Sequence, residues 1–238
     1  MAKQNALLYG TGILIILNLL IIGLYDLQVS RAARLFSVII FSVYYLSVNK
    51  PKNLKISLVF IFFIIREIFF QFYETSFGFK IYLLFAFCAY LTLIIDRLPK
   101  MNSLRINRGV ILVTIVLIIA NSYTLLTLMD LLSYSFRDSF EIGLFYLYGA
   151  MMIIMGVAAV HYNNKYNSTR SLHFLYFVFA FIITDIASLF AYYFGFEMFY
   201  FISRLFFLIA LGLLSDYGLN KASAQEENHQ YDMINSET

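Results

Sequence analysis

Charge is what this chain has least of. Only 13% of its 238 residues are Asp, Glu, Lys or Arg, against 61% hydrophobic, too few polar side chains to wrap a globule of this size in water. The chain is therefore expected to lie in a membrane. Proline is scarce as well: Pro51 and Pro99 are both expected in loops, and the short connectors leave no room for a soluble domain. The single cysteine, Cys88, falls inside an apolar run, so it forms no internal disulfide and says nothing about redox compartment. No segment alternates as a barrel strand would, and unbroken apolar runs must satisfy their backbone as helices. The fold class is all-α. Also absent are a Walker loop, a GxSxG elbow, HExxH spacing and a cysteine pair, and no lysine in the seventh apolar run could carry a Schiff base. His161, His173 and His229 read as loop, headgroup and tail residues, so no metal and no cofactor are expected, and a zinc hydrolase built on several intramembrane histidines is disfavoured.

What the chain does have is long apolar runs. A spanning helix needs about 20 mostly apolar residues, and eight runs qualify, at about 6 to 24, 35 to 49, 56 to 73, 79 to 95, 109 to 129, 141 to 160, 172 to 193 and 198 to 216. The first is too long for a signal peptide and lacks a small-residue cleavage site, so it reads as a retained helix. The expected unit is one eight-helix transmembrane domain over 1–221. A tail over 222–238, carrying Glu226, Glu227, Asp232 and Glu237 without apolar period, reads as a disordered cytoplasmic end. With the amino terminus inside, eleven basic residues (Lys3, Lys50, Lys52, Lys55, Arg97, Lys100, Arg105, Arg108, Lys165, Arg170 and Lys221) share its side, against four (Arg31, Arg34, Lys80 and Arg137) opposite. The positive-inside rule then puts both termini in the cytoplasm of a multi-pass protein of the cell inner (plasma) membrane. The basic cluster after the fourth run is a topology and headgroup signal; nothing points to nucleic acid.

One phrase occurs twice. Phe63-Ile64-Ile65-Arg66-Glu67-Ile68 returns as Phe181-Ile182-Ile183-Thr184-Asp185-Ile186, and each copy is followed by a short break, Phe77-Gly78-Phe79 or Phe194-Gly195-Phe196. The echo predicts two parallel four-helix repeats, about 1–100 and 101–221. Each copy keeps an acid in an apolar run, where an ionisable group costs about 2.5–3.5 kcal/mol on insertion scales. Glu67 and Asp185 are the candidate catalytic residues.

Helix rise places Arg66 and Glu67 about 16–18 Å along the third span, Asp185 about 20 Å along the seventh and Arg204 about 9 Å into the eighth, all in the half farther from the cytoplasm. Asn18, Asn121, Ser122, Tyr123, Thr124, Tyr146, Tyr148, Thr184 and Ser188 fall at the same depth. Because neighbours on a helix point about 100° apart, Arg66 and Glu67 need different partners, and the expected pairing is Glu67 with Arg204 and Asp185 with Arg66. Three readings stay open: ion pairs that glue the helices and fix their register, a pocket whose carboxylates do chemistry or hold a ligand, and a charge-translocating path. A transporter of parallel repeats would break two of its helices, yet spans three and seven lack Gly and Pro. The many Tyr and Phe residues read as packing and interface anchors.

Eight spans, both ends inside, Lys50-Pro51 opening a basic loop and acids in spans three and seven resemble the YhhN-like membrane family, which includes lysoplasmalogenases. Within residues 176–219, Thr184-Asp185 resembles the family's Ser-Asp pair, and Tyr200 through Arg204 stands where its eighth-span Tyr and Ala-Gln fall; Tyr90 matches the tyrosine after its fourth-span His. The family's third-span Gly-Asp is here Arg66-Glu67, its His falls near Phe87 or Cys88, and its eighth-span Gln is Arg204. The resemblance implies hydrolysis of the vinyl-ether bond of a lysoplasmalogen-type lipid. One group would protonate the enol-ether carbon and another activate water, roles shared by Asp185 and Glu67. Arg66 or Arg204 would hold the phosphate, and Thr184, Tyr200, Asn121 and Tyr146 would complete the substrate pocket. The alternative is a non-catalytic lipid-binding or assembly subunit whose acids Arg66 and Arg204 neutralise.

Overall fold

The computed structural model describes residues 2–48, 53–101 and 108–219, without the side chains of 2–4 and 98–101. Lys50-Pro51, the basic loop residues between 102 and 107 and the tail lie outside it. Eight α-helices make up the described residues: α1 (Ala2–Leu24), α2 (Leu27–Val48), α3 (Leu54–Phe70), α4 (Ser76–Met101), α5 (Arg108–Leu132), α6 (Ser139–Tyr166), α7 (Thr169–Phe194) and α8 (Met198–Leu219), with one 3-10 turn at Ser133–Ser135. All but α3 are long and apolar enough to cross a membrane, so the chain is a multi-pass, all-helical membrane protein.

Local chemistry sets the helix ends. Asp26 accepts from the amide of Val29 at the start of α2, Asn53 from Lys55 at α3 and Asp138 from Glu141 at α6, each satisfying an amide with no helical partner. Ser168 and Ser171 form a reciprocal box before α7. Gly195 ends α7 with φ +70°, a left-handed conformation that costs glycine nothing. Its echo, Gly78, serves differently: it sits in the first turn of α4, pressed against the carbonyl of Phe72.

Two expectations about helix limits change. The second helix starts at Leu27, not near residue 35, because Arg31 and Arg34 point inward to acidic partners and need not be counted as loop charges. Pro99 lies in the last turn of α4, not in a loop. Lacking an N–H, it frees the Ile95 carbonyl four residues earlier, and Lys55 of α3 donates to that oxygen at 3.3 Å.

The packing order closes on itself. α2 packs on α3, α3 on α4, α4 on α6, α6 on α7, α7 on α8, and α8 back on α2, while α1 lies outside against α8 and α2 and α5 outside chiefly against α6. Aromatic rings fill the centre. Phe63 of α3 and Phe181 of α7 stack with centroids 4.9 Å apart, and Tyr90 and Tyr148 stack at 5.6 Å. Neither α3 nor α7 is broken, so the discontinuous helices a transporter would need are missing from both acid-bearing spans.

A Cβ added at Gly78 would lie 2.0 Å from the backbone oxygen of Phe72, whereas one at Gly143 meets nothing within 4 Å. Gly78→Ala should therefore cost about 1–3 kcal/mol by overpacking and lower the unfolding temperature in neutral detergent. Gly143→Ala should leave it unchanged or slightly raised.

Candidate functional site

The site is built where α3 and α7 cross the bundle. Arg66 and Glu67 are both fully buried, and their neighbouring positions turn them toward different helices. Arg66 Nη2 donates to Asp185 Oδ1 at 2.7 Å and to the hydroxyl of Tyr82 on α4. On the other carboxylate oxygen, Asp185 accepts from Tyr90 of α4 at 2.5 Å and from Tyr148 of α6. One acid thus gathers donors from three helices.

Glu67 faces α2. Its partner is Arg34, whose Nε lies 2.9 Å from Oε2, out of line for a hydrogen bond, so charge holds the pair; Arg66 Nε is 3.8 Å from the other oxygen. The expected Glu67–Arg204 pair does not form. Arg204 donates instead to Asn18 Oδ1 at 2.6 Å, to the Ser30 carbonyl at 2.9 Å and to Ser30 Oγ at 3.0 Å. The physical reason is that α2 packs against both α3 and α8, which brings Arg34 up to Glu67 while Ser30, one turn earlier, meets Arg204. Arg34 also lies over the ring of Phe207 at 4.0 Å, an attraction between a desolvated guanidinium and the ring face.

Asp185 opens onto a cavity of about 90 Å³. One water occupies roughly 10–15 Å³ of such space, so the cavity has room for several waters. Its lining mixes polar side chains, Arg31, Arg34, Arg204, Ser203, Tyr148 and Asp185 among them, with apolar ones such as Leu125, Leu128, Phe145, Met152, Ile153 and Leu189. α5 contributes Asn121, Thr124, Leu125 and Leu128, although α5 is held chiefly through α6, where Leu125 presses against Gly149.

The residues singled out from the sequence fall into three groups. Asp185, Arg204, Tyr200 and Asn121 line the cavity. Arg66, Glu67 and Thr184 lie behind its wall: Arg66 grips Asp185, Glu67 meets Arg34, and Thr184 donates to the Ala180 carbonyl at 2.8 Å. Tyr146 is exposed on the outside of the bundle, away from the cavity lining. Sequence reasoning missed Arg31, Arg34, Tyr82 and Tyr90 as members of the constellation. The two arginines were counted as loop charges, and a helical phase set from Asp26 as the cap of α2 would have put them three residues apart on one inward face.

At the rim, Arg31 reaches the connector between α3 and α4. Its guanidinium takes both oxygens of Glu74, at 2.6 and 3.0 Å, and Tyr192 adds a third donor at 3.0 Å. The hydrogen bonds from Arg31 hold the Glu74 carboxyl down at about 2, below the usual 4.5. Among the described residues, no cluster of three or more His, Cys, Asp or Glu could hold a metal ion. His161 is buried against Thr114 at 3.0 Å, not free in a loop, and His173 lies 2.9 Å from Asp216.

No family model, curated protein or solved structure matches this chain. What the site can do has to come from its own geometry.

Breaking a buried ion pair strands the surviving charge, at about 3–5 kcal/mol. Asp185→Asn and Arg66→Met should each destabilise the protein by about that amount, and the double variant by clearly less than their sum, read as a double-mutant cycle of denaturant or thermal unfolding. Glu74 gives a pH signature. Because its folded-state value is depressed, its contribution is present above the unfolded value of 4.5 and is lost as pH falls toward about 2. With 54% of its side chain exposed, screening keeps that contribution small. The gap in melting temperature between wild type and Glu74→Gln should close over that interval and stay constant above it.

Proposed function

We propose that this chain is an integral membrane protein that takes a single-chain lipid into the cavity beside Asp185. The mixed lining carries the reading, with charged and hydroxyl groups to meet a headgroup and Leu, Ile, Phe and Met side chains to meet a chain. Ligand sites are mostly apolar with a few convergent polar groups.

The architecture proposed with it is eight spans in two parallel repeats, α1–α4 and α5–α8, in the inner (plasma) membrane with both termini cytoplasmic. The packing order supports the repeats. Exchanging α1–α4 for α5–α8 maps the α2–α3, α3–α4, α2–α8 and α1–α2 packings onto α6–α7, α7–α8, α6–α4 and α5–α6. Phe63 and Phe181, equivalent in the echoed phrase, stack on each other, as residues beside a two-fold axis must. With 17 residues α3 is about 25 Å long, short for a span but enclosed by its neighbours. The orientation gains support from the four basic residues on the proposed outer side, which are all engaged: Arg31 with Glu74, Arg34 with Glu67, Lys80 with Asp138 and Arg137 with the Glu74 carbonyl. Three of the four are thereby neutralised by carboxylates.

A second reading, hydrolysis of a lysoplasmalogen-type vinyl ether by a divergent YhhN-like enzyme, draws on one observation: Asp185 reaches the cavity wall with the Tyr148 phenol bonded to it. An acid must deliver a proton to the enol-ether carbon, and water must then add to the cation that results. Asp185 and Tyr148 have access to the lipid for these steps. Glu67, fully buried and absent from the lining, does not.

One experiment serves both readings. The purified chain, incubated with a panel of lyso-lipids that includes a lysoplasmalogen, should retain lipid in native mass spectra, and Met152→Trp, which fills the cavity, should reduce retention about tenfold. Retention unaffected by Met152→Trp would remove the cavity from consideration. Aldehyde release that Asp185→Asn abolishes, assayed well below the variant's unfolding temperature, would establish the hydrolase; release that persists would acquit Asp185.

A further inference from the structure

The charges around the cavity do not balance. Four guanidiniums lie on or directly behind its wall, and three of them have carboxylates: Arg31 has Glu74, Arg34 has Glu67 and Arg66 has Asp185. The fourth, Arg204, is 5% exposed and is held by an amide oxygen, a backbone carbonyl and a hydroxyl, with no carboxylate partner among the described residues. Neutral acceptors satisfy hydrogen bonds but cancel no charge, and a cation inside a membrane protein is costly unless an anion accompanies it.

Arg34 supplies the second observation. It is 2% exposed, lines the same cavity, and its Nη2 has no hydrogen-bond partner. Nitrogens of Arg31 and Arg66 are buried without an acceptor as well, but Arg34 is the residue of the lining whose charge is held by Glu67 without a hydrogen bond. Two guanidiniums of the lining, Arg204 and Arg34, thus share one carboxylate between them. An oxyanion would supply the missing negative charge.

We infer that Arg204 and Arg34 form the seat for a single negative charge, the carboxylate or phosphodiester headgroup of a single-chain amphiphile whose tail lies along Leu125, Leu128 and Met152. This inference rests on the lipid-binding reading and adds the charge of the headgroup to it. A ligand with one negative charge leaves the cluster neutral. A neutral amphiphile leaves Arg204 uncompensated, and a free inorganic anion makes no use of the apolar wall.

Asn18 offers a direct test, because its Oδ1 already lies 2.6 Å from Arg204 Nη1. Asn18→Asp puts a carboxylate there with almost no change of shape. The full chain in a neutral detergent would be titrated with oleate, lysophosphatidylglycerol, monoolein and sodium sulfate, reading melting temperature and native mass spectra. Oleate and lysophosphatidylglycerol should both bind and raise the melting temperature of the wild type, with little response to monoolein or sulfate. Asn18→Asp should be at least as stable as wild type without ligand, and should bind both anionic lipids about tenfold more weakly or worse. If Asn18→Asp does not fold, Arg204→Gln serves instead, with the same loss of anionic binding. Equal binding of monoolein and oleate would overturn the inference while leaving lipid binding intact. Binding of no amphiphile would overturn both. A sulfate response as large as that of oleate would replace the amphiphile with a free anion, and an Asn18→Asp or Arg204→Gln protein that still responds to oleate as wild type does would remove Arg204 from the seat.

Discussion

Arg66 has no route to solvent, so the rest of the bundle is arranged around what meets its charge. The answer is Asp185, the counterpart of Glu67 in the echoed phrase, backed by phenols from α4 and α6. An ion pair in a low-dielectric interior is worth keeping only when both ions are also hydrogen-bonded, since removing two charges from water costs several kcal/mol per ion. Three donors on Asp185 meet that requirement from one side. The consequence is geometric: α3, α4, α6 and α7 must all arrive at one level with fixed rotation, or a charge is left bare. In a bilayer, where lipid tails are as apolar as leucine and hydrophobic burial cannot choose between helix faces, polar contacts of this kind select the register.

Much of this could be read from the residues in order. Apolar runs gave the helices because nothing else satisfies a backbone in hydrocarbon, and the acids at 67 and 185 stood out because charge is rare there. The Arg66–Asp185 pair followed from depth together with helical phase. Other features were not legible for identifiable reasons. Arg31 and Arg34 flank an apolar stretch of modest hydropathy, and a count of apolar residues cannot distinguish a loop charge from a charge on the buried face of a helix that starts earlier. Glu67 was assigned to Arg204 because depth along a helix carries no information about which neighbour lies beside it; that depends on α2 packing against both α3 and α8. Tyr82 was lost among 19 tyrosines, and Tyr148 and Tyr90, named for depth and for resemblance, could not be assigned to Asp185, since a phenol that donates to a buried carboxylate and one that anchors at the membrane surface look the same in sequence.

The two echoed acids have come to different ends. Glu67 looks to α2 and finds Arg34, whereas Asp185 looks to α6 and finds Tyr148. With a cation beside it and no opening, Glu67 is a structural anion. Asp185 has only neutral groups on that side, and the cavity reaches it there. α5 marks the same asymmetry. α1 packs against both α8 and α2, whereas among the described residues α5 packs chiefly against α6. The cavity lies beside this loosely held helix, which contributes both polar and apolar side chains to it, Asn121 and Thr124 with Leu125 and Leu128.

Placing the cavity on that side also determines which charges can act on an occupant. Arg66 cannot, because it is enclosed and already spent on Asp185 and Tyr82. Arg204 and Arg34 can, because they approach from α8 and α2, line the space and carry more positive charge than their own partners cancel. The carboxylate of Asp185 lines the same space as the two guanidiniums. In the proposed complex an anionic headgroup would be drawn to Arg204 and Arg34 and repelled by Asp185, so opposite charges on one lining would orient the occupant, whether it were held or cleaved.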